Sequence, residues 1–263
     1  MRTLVSIASL DDPRVADYRF IADQRYLQSH GIFVAEGRLV LRRLLDSYRF
    51  ETRSILLTPA AADNLGAALD GTTAPIYQAP QALMNEIAGF NIHRGCLAIG
   101  ARPAAAVLAP ATLDQATRIV ALEGVNNPDN VGGIFRSAAA FGVDLVVLGP
   151  GCGDPLYRKA IRTSMAATLA VPFVAAGPWP DAIACLRDQA FEVLALTPAA
   201  AAPLDAFRAS SHRIALLLGA EGAGLSADAL ERSSARLRIP MSGNADSLNV
   251  TTAASIAMYE LFK

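Results

Sequence analysis

The chain has 263 residues, of which 52% are hydrophobic and 18% charged, with a formal charge of −1. This composition describes one large or two modest globular domains and excludes a disordered chain. A near-neutral average gives no electrostatic signal for a polyanion partner. Cys96, Cys152 and Cys185 form no C-x-x-C pair, which argues against a disulfide framework and against a zinc site. The N-terminus reaches Asp11 and Asp12 too soon for a secretory core, and no uninterrupted apolar run is long enough to span a bilayer. A reduced, cytoplasmic chain is the expectation. The basic residues are arginines except Lys159 and Lys263. Genomic base composition accounts for that bias, and phosphate recognition by the planar guanidinium fork is the functional alternative.

From the N-terminus, Pro13 opens a polar, arginine-bearing helical stretch that runs to about Arg25. A short strand follows at 31–37, stopped by Gly37, and then a helix over 38–48 with Leu41, Leu44 and Leu45 at helical spacing. Strands at 54–59, 74–77 and 95–100 alternate with helices near 60–69 and 80–88, which predicts a small α/β module. Arg38, Arg42 and Arg43 share one helix, with Arg49 and Arg53 just after it. A solvated, salt-bridged face explains them, and a patch that holds phosphates is the alternative. No pocket-forming polar cluster stands out here, so this half reads as a substrate platform. Residues 102–116, rich in Ala and Pro, form a stiff connector. The predicted domains are 1–101, a small α/β substrate-binding module, and 117–263, where the chemistry is expected.

The second half opens with a buried-type strand at 118–124, an Asn/Asp/Pro turn, and a helix that ends at Gly142. Asn130 stands near its N-cap. Arg136, six residues on, lies about 120° around the helix from Asn130. On an otherwise Ala/Ile/Phe helix, an unpaired buried guanidinium is costly, so Arg136 either pairs with an acid or faces a cleft. Strands at 144–148, 171–174 and 191–196 alternate with helices at 157–167 and 180–189. This β–α–β order predicts a mostly parallel sheet with helices on both faces, whose ligands sit at the carboxyl ends of its strands. The strand at 213–218 runs into Gly219, Glu221, Gly222 and Gly224. The glycines permit close approach to a ligand, but their spacing is not a dinucleotide fingerprint and no Walker lysine follows.

Last comes an apolar run ending at Pro240, a polar loop, and a helix without a charge from Leu248 to Met258. Such a helix is expected to be buried, with Ser247 and Asn249 at its entrance. Polar groups beside a helix start, where backbone N–H groups are unpaired, suggest a binding site.

Three segments occur in order. They are Asn130, Gly132 and Arg136; then Leu218, Gly219, Glu221, Gly222 and Gly224; then Ile239, Pro240, Met241, Gly243, Ser247, Leu248, Asn249 and Val250. Together they resemble the SpoU (TrmH-type) family of RNA ribose methyltransferases in the SPOUT superfamily, over roughly residues 117–263. The resemblance implies an α/β fold with a C-terminal trefoil knot and a homodimer. It also implies methyl transfer from S-adenosylmethionine to a ribose 2′-OH. It assigns Asn130, Arg136, Glu221, Ser247 and Asn249 to catalysis, and Leu218, Gly219, Ile239, Met241 and Leu248 to the cofactor. No metal is implied. Thr251-Thr252 departs from the serine and aliphatic residue usual in the family. The first hundred residues resemble the RNA-binding module of the ribosomal-RNA branch. This favours 23S ribosomal RNA as substrate, with transfer RNA second and a non-catalytic RNA-binding protein as the rival class. A dehydrogenase is disfavoured by the missing glycine fingerprint and ribose-binding acid.

Overall fold

The computed structural model describes residues 3–243 and 246–263. Met1 and Arg2, and Asn244 and Ala245 of the loop before the last helix, lie outside the described residues. The chain forms two compact units. The first holds residues up to Ala104 together with Leu156–Ala170, and the second holds Ala105–Pro155 and Val171–Lys263.

The first unit is built on β1 (Leu4–Ser6), β2 (Ile32–Glu36), β3 (Thr52–Leu57), β4 (Ile76–Gln78) and β5 (Cys96–Ala101), with helices α1 (Gln24–Ser29), α2 (Arg38–Leu45), α3 (Pro59–Leu65) and α4 (Gln81–Ala88). The sheet order is β1-β4-β3-β5-β2. β4 runs parallel to β1 and β3, whereas β5 is antiparallel to β2 and β3. Two chain reversals start from side-chain caps: Asp23 accepts the Arg25 and Tyr26 N–H groups, and Thr58 accepts that of Ala61. Tyr18 is fully buried and its hydroxyl meets Ser54 Oγ at 2.9 Å, so the one polar atom on that ring is satisfied. Cys96 is buried in β5, and burial pushes its thiol up to about 12, which keeps it neutral and unreactive.

Several elements differ from the sequence expectation. The arginine-bearing stretch is a 3-10 turn over Pro13–Phe20 followed by α1, not one helix. β1 went unread because three residues with one half-buried side chain give no periodicity to detect. α2 stops at Leu45, capped by Asp46, whose N–H donates to Arg42 O. The helix expected over 157–167 breaks into two, α6 (Arg158–Thr163) and α7 (Ala167–Ala170), which follow α5 (Pro128–Ala140) in the chain. Met165 and Ala166 between them adopt positive φ, 53° and 65°, a conformation no propensity scale assigns to these residues.

The second unit is a seven-stranded, wholly parallel sheet of β6 (Arg118–Glu123), β7 (Leu145–Leu148), β8 (Phe173–Ala175), β9 (Glu192–Leu196), β10 (Ala202–Pro203), β11 (Ile214–Gly219) and β12 (Ala235–Arg238). Its order is β10-β12-β9-β11-β6-β7-β8. Central strands β6 and β11 are continuous apolar runs because both of their faces are covered. On one face α8 (Trp179–Asp188) and α9 (Ala227–Arg232) pack Ile183, Leu186 and Ala229 on Ile119, Ala121, Ala215 and Leu217. The alternate residues Val120, Leu122, Leu216 and Leu218 are equally buried and point the opposite way. On that side lie α5 (Pro128–Ala140) and α10 (Val250–Leu261), packed on each other, with α10 also on β11. β10 and α9 were not anticipated. The segment before β6 is tied down at the sheet edge, where Leu108 N–H donates to Ala175 O at 2.8 Å. Among the described residues, no helix is long and apolar enough to cross a membrane.

Candidate active site

α5 begins at Pro128, and its N-cap is Asn127, whose side chain accepts the Asp129 N–H at 2.9 Å. Asn130 therefore stands near the cap, as expected, three residues after it. Asn130 lies inside the first turn, is buried, and faces α10. The two helices approach closely at Gly133. A β-carbon there would collide with the Thr251 side chain, so only glycine fits. One turn along, Ser137 Oγ meets Ser255 Oγ at 2.7 Å.

α10 is capped by Asn249, whose Oδ1 accepts the N–H groups of Thr251 and Thr252 at 2.9 and 3.4 Å. Its Nδ2 donates to Asn130 Oδ1 at 3.0 Å and to Glu221 Oε1 at 2.6 Å. Thr251 Oγ1 lies 3.3 Å from both Asn130 O and Asn130 Oδ1. Asn130 Oδ1 therefore faces two donors, which fixes the amide orientation and turns Nδ2 away from them. That Nδ2 has no hydrogen-bond partner among the described residues. Three residues from distant parts of the chain thus form one hydrogen-bonded row, Asn130–Asn249–Glu221.

The row sits beside a cavity of about 400 Å³ at the carboxyl ends of β9, β11 and β12. All five residues expected at the cofactor, Leu218, Gly219, Ile239, Met241 and Leu248, line it, as do Glu221, Ser247 and Asn249. The location is where open parallel sheets bind ligands. Thr197 and Pro198, which follow β9, complete the wall and were missed. The signal available for them was a strand ending at Thr-Pro, since proline cannot continue a ladder. Gly219 differs from expectation in what it approaches. A β-carbon there would collide with the backbone of Gly224 and Leu225, so this glycine closes its own loop, sealed by Gly224 N–H to Ala220 O at 2.9 Å.

Arg136 does not join this group. It is exposed on α5, is absent from the cavity wall, and makes no hydrogen bond or ion pair among the described residues. Of the two options raised for it, pairing with an acid in the core is ruled out. The last helix also differs from expectation. Val250, Ala254, Ala257 and Met258 are buried, but Ile256 and Tyr259 are 39% and 60% exposed, so it buries one face and presents an apolar stripe on the other.

Residues 117–259 match the model of the SpoU rRNA methylase family. The chain is 45% identical over 258 residues to an uncharacterized tRNA/rRNA methyltransferase of Mycobacterium tuberculosis, covering 95% of this chain and 88% of that one. It is 34% identical over 149 residues to the 23S rRNA (guanosine(2553)-2′-O)-methyltransferase of Bacillus subtilis, which covers 57% of this chain and 59% of the relative. A putative RNA methyltransferase of the TrmH family from Porphyromonas gingivalis superposes with a TM-score of 0.81 at 26% identity, over 97% and 98% of the two chains. The AdoMet-bound rRNA methyltransferase from Sinorhizobium meliloti shares the fold, with a TM-score of 0.82 at 24% identity over 98% and 97%.

Proposed function

The chain belongs to the SpoU rRNA methylase family, and on that premise we propose that it transfers a methyl group from S-adenosylmethionine to a ribose 2′-OH of RNA, with 23S ribosomal RNA as the first candidate. The observation that carries this reading is the cavity at the strand ends with the Asn130–Asn249–Glu221 row beside it.

The residues present fit the cofactor. About 400 Å³ is within the usual range for a small-ligand site. Leu218, Ile239 and Leu248 supply apolar walls for a purine, and the Glu221 carboxylate supplies negative charge opposite a sulfonium. S-adenosylmethionine, when bound, supplies an electrophilic methyl group. The remaining work falls to the chain. A ribose hydroxyl is a weak nucleophile until its proton is shared with an acceptor and its oxygen is aligned. Asn130 is buried and is not part of the cavity wall, and its Nδ2, turned out of the row, is the donor we assign to an oxygen of the ribose. Asn249, with its amide fully committed, is a positioning residue. Ser247 lines the cavity and its hydroxyl has no hydrogen-bond partner among the described residues. A guanidinium offers donors and no acceptor, so Arg136 is not assigned the role of base. Its exposed, unpartnered guanidinium instead suits the neighbouring phosphate and the developing alkoxide.

The relative's tRNA/rRNA name supports transfer RNA as the second substrate. Incubation with methyl-labelled S-adenosylmethionine and total RNA decides between them. Label in the large ribosomal RNA is expected, label in transfer RNA alone revises the substrate, and no label in any RNA defeats the proposal in favour of a non-catalytic RNA binder.

A further inference from the structure

The first unit contains a second pocket, of about 330 Å³, lined by Arg43, Asp46, Tyr48 and Arg49 at the end of α2 and closed by Leu169 and Ala170 of α7. The sequence reading found no pocket-forming polar cluster in this half. It is invisible there because Leu169 and Ala170 come from a segment more than a hundred positions away. Tyr48 is 95% exposed. A bare aromatic ring gains nothing from folding, because its apolar surface stays in water.

Four exposed arginines near it are similarly uncommitted. Arg38, Arg42, Arg43 and Arg53 are exposed and make no hydrogen bond or ion pair among the described residues. The salt bridges that would have explained them are not found among the described residues. Arg49 is held half-buried, its guanidinium 5.1 Å from the Phe50 ring centre. A ring for a π-face, two arginines among the lining residues and an acceptor on Asp46 are the components of single-stranded nucleotide recognition.

We propose that this pocket takes one unstacked nucleotide of a single-stranded RNA segment, the base on Tyr48 and its phosphate on Arg43 and Arg49. Arg38 and Arg42, one turn apart on α2, lead the strand away from the pocket. Their position favours a polymer over a free nucleotide, which needs no anion contacts beyond its own phosphate. The inference takes from the preceding section only that the polymer is RNA.

The test is fluorescence anisotropy of a fluorescein-labelled ten-nucleotide RNA of mixed sequence, with the full chain and no cofactor, across a salt series. Tyr48→Ala weakens binding roughly tenfold, while Tyr48→Phe stays within about twofold, because stacking needs the ring and not the hydroxyl. Arg43→Gln lowers the slope of log affinity against log salt by about 0.7, the value for one single-strand phosphate contact. Both side chains are exposed, so folding is undisturbed. Unchanged affinity in Tyr48→Ala, or an RNA that does not bind the unaltered chain, overturns the proposal. Displacement by uridine monophosphate as effective as by unlabelled oligomer overturns the strand and leaves a mononucleotide site. The two readings separate cleanly. Methyl transfer with unchanged Tyr48→Ala affinity removes the pocket alone. Binding through Tyr48 without methyl transfer removes the activity alone.

Discussion

Both amide protons of Asn249 are committed, one to Asn130 and one to Glu221, and its carbonyl oxygen caps α10. The residues of this row were legible in the sequence as types at set spacings. Their wiring was not, because each bond joins residues far apart in the chain. Thr251 illustrates the difference: as a departure from the family pattern it was only a discrepancy, whereas in the fold its methyl group fills the space at Gly133 and its hydroxyl reaches Asn130. Thr251→Val keeps the methyl packing and removes the hydroxyl. Loss of one neutral hydrogen bond, about 1 kcal/mol, is expected to lower kcat roughly fivefold with the KM for S-adenosylmethionine unchanged. Steady-state kinetics checks this, and an unaltered kcat would remove Thr251 from the positioning of Asn130.

At the scale of elements, α10 explains why an uncharged helix can look wholly buried in sequence. Its inner face packs Ala254, Ala257 and Met258 against its own chain, with Ser255 on Ser137 of α5, while Ile256 and Tyr259 remain outside. Periodicity cannot distinguish burial within a chain from burial against another copy, since both demand apolar residues. The homodimer implied by the family resemblance would give the outer stripe its partner, and a two-fold contact requires only one such self-complementary patch. Sedimentation equilibrium should therefore find twice the 27.6 kDa chain mass, and Tyr259→Arg should shift the chain toward the monomer. A monomeric unaltered chain at micromolar concentration contradicts the assignment of this face.

Over the whole molecule, the β–α–β order correctly implied a parallel sheet, and a cavity lies at the strand ends, where the same rule expects a ligand. Strand order did not follow. Short β1 and β10 carry no pattern, and the left-handed break at Met165 and Ala166 separates α6 from α7 where composition reads as one helix. The cavity was half legible: Leu218, Gly219 and Glu221 announced themselves by glycine spacing, whereas Thr197 and Pro198 enter through sheet order alone. The central claim is that this cavity serves methyl transfer to ribose and not to a base. Alkaline hydrolysis of RNA labelled by the protein tests it most directly, because alkali cleaves RNA through the free 2′-oxygen. Label recovered in alkali-stable dinucleotides is the predicted result, and label recovered in mononucleotides would contradict it.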